Sequence, residues 1–132
     1  MMAETNLDKL IAGMSPALAP DVYVFTTSEF PPDIPFIMRF EEAEGKTLIV
    51  TRTAAKTAGL NYEFPSRMIT LNVHSSLDAV GFMAVIATGL AAEGMGVNPV
   101  AGFHHDHTFV PEGRAEDAMR VLTAMAIDTH SS

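Results

Sequence analysis

The chain has 132 residues, a hydrophobic fraction of 48% and a formal net charge of −8, which suits one compact unit or two very small ones. The acidic balance leaves no basic face to neutralise phosphates, so nucleic acid is not an expected partner. The chain has no cysteine, which excludes disulfides, thiolate chemistry and cysteine-ligated zinc.

Neither the N-terminal segment nor the apolar stretches predict export or a membrane span. Residues 1–14 carry acidic residues early and lack an apolar core flanked by Lys or Arg, unlike a signal peptide. The longest charge-free run lies between Asp78 and Glu93 and is shorter than the roughly 18 residues that a membrane span needs. We therefore expect a cytoplasmic protein with no membrane partner.

The first part of the chain predicts a short helix, a strand and a loop. Asn6 is a suitable N-cap for a helix over residues 6–14, and Pro16 and Pro20 close that helix. The segment VYVFTT at 22–27 is rich in β-branched and aromatic residues and predicts a strand. The next segment, SEFPPDIP, is proline-rich and predicts a loop.

A hairpin and a short helix follow this loop. Strands are predicted over 36–41 and 46–51, around Glu44 and Gly45, where glycine can supply the positive φ of a tight turn. The segment TAAKTAGL at 53–60 then predicts a short helix that ends at Gly59.

The second half predicts strand, helix, hairpin and helix in that order. The strand-like run RMITLNVHSS at 67–76 leads into a long apolar helix at 77–93. An apolar extended segment, the polar turn HHDH at 104–107, the strand TFV and a terminal helix that opens with PEGRAEDAM follow. This is the order of a split βαβ unit, in which one sheet face carries both helices.

The predicted helix 77–93 carries two apolar stripes. The first consists of Leu77, Val80, Gly81, Ala84, Ala87 and Ala91. The second consists of Phe82, Val85, Ile86, Gly89 and Leu90. Because a surface helix normally shows one stripe, we expect burial on two sides, against the parent sheet and against a companion repeat or another chain. This pattern predicts a homodimer.

Two segments that lie 60 residues apart share a pattern. TLIVTRTAAKTA, which contains Val50, aligns with HTFVPEGRAEDA, which contains Val110. Each segment predicts the second strand of a hairpin that runs into a helix. We interpret them as two degenerate copies of one unit, with domains at 1–63 and 64–132. The alternative is a single α+β domain whose first half is unrelated to the second.

The run VHSSLDAVGFMAVIATGLAAEGMGVNPVAGFHHDHTFVPEGRAEDAMRVL resembles the ACT-domain family. More narrowly, it resembles stand-alone bacterial proteins of two ACT-like repeats, similar to the arginine sensor Castor, and YVFTT, EEAEG and TLIV resemble their N-terminal part. The resemblance implies an α+β, ferredoxin-like βαββαβ fold, with two tandem repeats sharing an antiparallel sheet and helices on one face. It also implies regulatory binding of a free amino acid, with neither catalysis nor a cofactor.

The resemblance further implies a ligand site between two such units, at the first strand–helix loop and the facing second strand. The loop residues carried over are His74, Ser75, Ser76, Leu77, Asp78, Ala79, Val80 and Gly81. The facing strand begins at Val97, Asn98, Pro99 and Val100. The familiar ACT loop carries an Asp and a Gly close to Pro-Gly, whereas this chain has Asp78 and Gly81 without proline.

The chemistry of this loop suits a zwitterion. If the helix begins at Ser75 or Ser76, the unpaired N–H groups of its first turn can donate to a carboxylate. Asp78 could then pair with an ammonium group, and Gly81 would let a ligand approach the backbone closely. The alternative is that Ser76 only caps the helix and Asp78 only complements its dipole.

Other chemistries find less support. His105 and His107 would share one face of a strand, as two ligands of a metal ion could. A metal site needs at least three convergent ligands, and the remaining histidines, His74 and His130, are distant in the sequence. We therefore interpret HHDH as a solvated turn. A G-x-S-x-G elbow is absent from the sequence, and the glycines of GMGVNP lead into a strand. Arg39 and Arg67 pair with nearby acids or meet a ligand carboxylate, and we rank the structural role first.

The sequence therefore predicts a non-enzymatic regulatory protein that binds an amino acid or similar small metabolite. The first alternative is a ligandless module that dimerises or docks on an enzyme. The second alternative is a small enzyme or metal carrier that uses the histidine cluster.

Overall fold

The computed structural model describes the backbone of residues 5–131 and the side chains of residues 5–129. These residues form one antiparallel sheet with the strand order β2-β3-β1-β4-β6-β5. The elements are α1 (Leu7–Gly13), β1 (Pro16–Ser28), β2 (Met38–Glu42), β3 (Gly45–Thr51), α2 (Arg52–Thr57), β4 (Glu63–Leu71), α3 (Phe82–Ala91), β5 (Asn98–Ala101), β6 (Asp106–Pro111), a 3₁₀ turn (Glu112–Arg114) and α4 (Ala115–Ser131).

An internal two-fold axis lies between β1 and β4. These strands pair antiparallel, with Tyr23 opposite Ser66. On their outer sides, Tyr23 pairs with Thr51 of β3, and Ser66 pairs with Pro111 of β6. Thr51 and Pro111 lie 60 positions apart in the sequence, which is the offset of the internal similarity. The predicted α+β, ferredoxin-like fold of two tandem repeats that share one sheet is confirmed.

An ion pair crosses this axis. Arg52 at the start of α2 donates two hydrogen bonds to the Glu112 carboxylate, at 2.8 and 3.1 Å. The two residues occupy equivalent positions in the two repeats, again 60 apart. Because both side chains are partly exposed, the pair contributes at most about 1 kcal/mol, and it marks the axis more than it stabilises the fold.

The helices pack on one face of the sheet over two apolar clusters. Under α1, α3 and α4 the buried side chains are Leu10, Ile11, Met14, Ile69, Leu71, Phe82, Ile86, Leu90, Met95, Val110, Ala115, Ala118 and Leu122. Under α2 they are Val24, Leu48, Val50 and Ala55. The strand residues in both clusters point to the same side because the strands alternate their side chains with a period of two.

The opposite face, which we call the helix-free face, has its own apolar cluster. Tyr23, Ile49 and Phe109 are buried in it, and no described helix contributes a residue to it. The Phe109 ring makes edge contacts with Tyr23 and Phe25, at centroid distances of 6.0 and 5.6 Å. The sheet curls, so side chains of its own strands cover these residues.

Strand β1 begins earlier than the sequence predicted and includes two prolines. We expected Pro16 and Pro20 to lie outside it, but β1 begins at Pro16 and runs through Pro20. The pairing of β1 with β4 shifts register between Leu18 and Val22. Proline cannot donate a ladder hydrogen bond, so it is tolerated at such an irregularity.

The prediction for helix 77–93 was wrong at its start and in its burial. Helix α3 begins at Phe82, after Gly81 with φ of 90°, so the preceding residues form a loop. Leu77 and Val80 of the first stripe are 67% and 83% exposed, and the companion repeat does not cover them. Only the second stripe, with Phe82, Ile86 and Leu90, is buried. None of the helices within residues 5–131 is long and apolar enough to cross a membrane.

Substitution of Ile86 by alanine is expected to lower the free energy of unfolding by about 2–5 kcal/mol, because it leaves a cavity under α3. Ile86 is fully buried, whereas Ile127 on α4 is 59% exposed. Ile127→Ala is the matched control and should change the free energy by less than about 0.5 kcal/mol. Urea unfolding followed by circular dichroism measures both variants, and equal losses would contradict the burial of this stripe.

Candidate functional site

Two cavities flank the loop that connects β4 to α3. The first loop cavity has a volume of about 230 Å³ and is lined by Ser75, Ser76, Leu77, Ala79, Gly81, Phe82, Met83, Ala84, Ala101 and Asp106. The second loop cavity has a volume of about 210 Å³ and is lined by His74, Ser75, Ser76, Leu77 and Phe103. Both are smaller than the roughly 300–1,000 Å³ of sites for drug-sized ligands, which suits a small metabolite.

A buried carboxylate lies in the wall of the first loop cavity. Asp106 is 9% exposed and is the first residue of β6, opposite Leu71 of β4 and Ala101 of β5. The Ser75 hydroxyl donates a hydrogen bond of 2.9 Å to Asp106 Oδ2. A carboxylate has about four lone-pair positions, so Asp106 retains capacity to accept from a cation in the cavity.

The same cavity opens onto the N-terminus of α3. Gly81 is the N-cap of this helix and makes no side-chain capping hydrogen bond. The N–H groups of the first helical turn have no intrahelical acceptor, and the residues that carry them, Phe82 to Ala84, line the cavity. The positive end of the helix dipole therefore faces the cavity, where it favours an anion.

Most of the predicted loop residues border these cavities, but two do not. His74, Ser75, Ser76, Leu77, Ala79 and Gly81 line one cavity or both. Asp78 and Val80 are exposed and line neither. Ser76 Oγ accepts a hydrogen bond of 3.1 Å from the Asp78 N–H, so Ser76 stabilises a turn of the loop and does not cap α3.

The predicted strand residues are divided between the two faces of the sheet. Val97 packs against the core under the helices, and Val100 contributes to the cluster on the helix-free face. Asn98 and Pro99 are exposed. The residue of β5 that lines the first loop cavity is Ala101.

Sequence reasoning missed Asp106, because HHDH was interpreted as a solvated turn. The structure ends that turn at His105 and starts β6 at Asp106. Period-two alternation along β6 places Asp106 on the same face as the fully buried Val110. That alternation was the available signal, since an acid in line with core positions of a strand is unusual and needs a buried partner.

The histidines contact one another around the β5–β6 turn. The His104 ring lies 5.8 Å from His74 and 6.5 Å from His105 between centroids. Among the residues that the structure describes, no group of three His, Cys, Asp or Glu side chains could hold a metal ion. The side chain of His130 lies outside the described part.

His107 points to the helix-free face and is separate from this group. Its Nδ1 shares a hydrogen bond of 2.9 Å with Thr70 Oγ1. Burial lowers the pKa of His107 below its ordinary value, and the neighbouring His105 lowers this pKa further, while Asp106 raises it.

The two arginines singled out in the sequence have structural partners. Arg39 forms an ion pair of 2.9 Å with Glu41, as expected for a residue beside the acidic hairpin. Arg67 does not pair with those acids. Its guanidinium donates hydrogen bonds of 3.1 and 2.8 Å to the carbonyl oxygen of Ala19, where β1 departs from regular pairing.

Comparison with known proteins places this chain in a family. Residues 2–67 and residues 63–124 each match a model of the ACT domain. A crystal structure of a Vibrio cholerae protein of unknown function, described as a possible transport protein, is 39% identical, with a TM-score of 0.83. It covers 91% of this chain and 95% of its own. The chain belongs to the ACT-domain family.

More distant structures share the fold. A protein from Agrobacterium tumefaciens is 15% identical, with a TM-score of 0.72 and coverage of 86% of this chain and 89% of its own. The regulatory subunit of aspartate kinase from Thermus thermophilus is 14% identical, with a TM-score of 0.63 and coverage of 83% and 95%. No curated protein matches the chain. ACT domains commonly bind amino acids in regulatory proteins and are regulatory rather than catalytic.

Stability should depend on pH through His107. Its lowered pKa means that the folded state holds the neutral ring, so this stabilisation is present above the unfolded pKa of about 6.5. It is lost as the pH falls through the folded pKa. The free energy of unfolding, measured in urea between pH 8 and pH 5, should therefore fall less steeply in His107→Asn than in wild type. His104→Asn, which replaces an exposed histidine, is the control variant. A slope in His107→Asn equal to that of wild type would contradict this role of His107.

Proposed function

We propose that this protein is a non-enzymatic regulatory protein that binds a free amino acid in the first loop cavity. The observation that carries the proposal is the presence, in the walls of one cavity, of a buried carboxylate, Asp106, and the uncapped N-terminus of α3. These groups have opposite electrostatic preferences. A zwitterionic amino acid, with a carboxylate and an ammonium group on one carbon, satisfies both.

The assignment of groups differs from the sequence-based hypothesis. The ligand carboxylate would accept hydrogen bonds from the first-turn N–H groups of Phe82 to Ala84, and not from residues around Ser75. The ligand ammonium would donate to Asp106, and not to the exposed Asp78. Ser75 then acts as a positioning residue, because its hydroxyl holds one Asp106 oxygen and leaves the other for the ligand.

The lining of the second loop cavity favours a ligand with an apolar side chain. Its walls include Leu77 and Phe103 together with the His74 ring, and no acidic residue lines it. A guanidinium placed there would lack an anionic partner, and desolvating an unpaired charge is costly. We therefore favour an aliphatic or aromatic amino acid over arginine, and the similarity to the arginine sensor Castor stays a prediction.

A regulatory output requires the ligand to favour one arrangement of the protein over another. The first loop cavity joins the β4–α3 loop to β6, so a bound amino acid would hold these segments together. We retain the proposed domains at 1–63 and 64–132, although each uses a strand of the other. A homodimer and a cytoplasmic location stay predictions.

A ligandless docking module is the second candidate. Its support is the exposure of three large apolar side chains, Leu77, Val80 and Phe103, around the same loop. Where exposed apolar side chains form a patch, the patch often marks a protein contact. A partner that binds this end in the absence of any amino acid would favour this function.

A thermal-shift panel of the free amino acids tests the proposal directly. A ligand present at a hundredfold excess over its dissociation constant adds about 2.7 kcal/mol of stability, which raises the melting temperature measurably. We expect a response to one or a few apolar amino acids and none to arginine. A panel without any response would contradict amino-acid binding and leave the docking module.

Two isosteric variants locate the ammonium site. Asp106→Asn should abolish the thermal response, because the amide keeps the shape and can still accept from Ser75 but carries no charge. Asp78→Asn is the matched control at an exposed aspartate and should respond like wild type. A response that survives Asp106→Asn and disappears in Asp78→Asn would show that the ammonium site is at Asp78.

A further inference from the structure

A third cavity, which we call the sheet cavity, lies on the helix-free face between the two repeats. It has a volume of about 190 Å³ and is lined by Ile37, Met38, Ile49, Met68, Val100, His107 and Phe109. Ile37, Met38 of β2 and Ile49 of β3 line one side, and residues of β4, β5 and β6 line the other. Ile49 and Phe109 are equivalent positions of the two repeats, and both are buried.

The walls of the sheet cavity are apolar except at one position. Six of its lining residues are hydrocarbon, thioether or aromatic side chains, and the seventh is His107. Met38 and Met68 can adapt their shape and make favourable sulfur contacts with aromatic rings. No acidic or basic residue other than His107 lines the cavity, so a charged ligand would lose its hydration without compensation.

We propose that the sheet cavity is a second ligand site that binds a small, neutral, monocyclic aromatic molecule. The volume is sufficient for such a ring, since an enclosed apolar cavity of about 150 Å³ binds benzene in a protein interior. One six-membered ring with a small substituent therefore fits. The site is separate from the amino-acid site, with which it shares no lining residue.

His107 provides the one polar contact for this ligand. Its Nδ1 is engaged with Thr70 Oγ1, which fixes the ring orientation in the wall. Burial disfavours the charged form of the ring, in line with the lowered pKa. A neutral imidazole can exchange a hydrogen bond with a phenolic hydroxyl, so phenol is the probe of choice.

Methionine methyl NMR tests this site in the intact chain. With ¹³C-methyl methionine, phenol should cause saturable shifts at Met38 and Met68, which line the sheet cavity. Met125 in the core under the helices should not shift. Shifts at Met83, which lines the first loop cavity, without shifts at Met38 and Met68 would overturn the proposal. So would the absence of any saturable shift.

The same valine-to-phenylalanine substitution at two positions tests whether phenol binds in the sheet cavity or elsewhere on the surface. Val100→Phe should fill the sheet cavity and weaken phenol binding at least tenfold. Val80→Phe makes the same change at an exposed valine that lines none of the three cavities and should leave binding unchanged. Equal effects of the two variants would overturn the proposal. Shifts of Met38 and Met68 that follow protein concentration instead of phenol would also overturn it, because a second copy would then occupy this face.

Discussion

The antiparallel pairing of β1 with β4 is the constraint on which the rest of the structure depends. The N-terminal repeat contributes β2, β3 and β1, and β4 of the other repeat is the fourth strand beside them. The C-terminal repeat contributes β4, β6 and β5, and β1 is its fourth strand. Neither repeat therefore has a four-stranded sheet alone. The register that places Tyr23 opposite Ser66 fixes the internal axis, and both outer hairpins follow from it. If the repeats were separated, β1 and β4 would each become a long unpaired edge strand. The folding of one repeat is therefore coupled to the folding of the other.

The candidate amino-acid site belongs to the C-terminal repeat alone. Strand β4 aligns β6 so that Asp106 lies opposite Leu71, close to the loop that holds Ser75. In the N-terminal repeat the residue 60 positions earlier is Lys46, and β1 is followed by a proline-rich loop instead of a helix. That repeat therefore offers neither the carboxylate nor the helix N-terminus, and it contributes the sheet that supports the site.

The sequence predicted the architecture well because its signals are local and repeated. Both hairpins, the short helix after Val50 and the two-repeat organisation followed from alternation, glycine turns and the 60-residue similarity. The start of α3 was predicted wrongly because Leu77 and Val80 have helical spacing, whereas the positive φ of Gly81 places these residues in a loop before the helix. Asp106 was missed because the polar run HHDH suits a solvated turn, and because the Ser75 hydroxyl that contacts its carboxylate lies 31 residues away in the sequence.

Native-state hydrogen exchange across the central strands tests the sharing of β1 and β4 most directly. Backbone amides in β1, β3, β4 and β6 should all exchange with the free energy of global unfolding, because opening either repeat removes a strand from the other. A lower-energy opening in which the amides of β1 and β3 exchange while those of β4 and β6 stay protected would contradict the coupling of the two repeats.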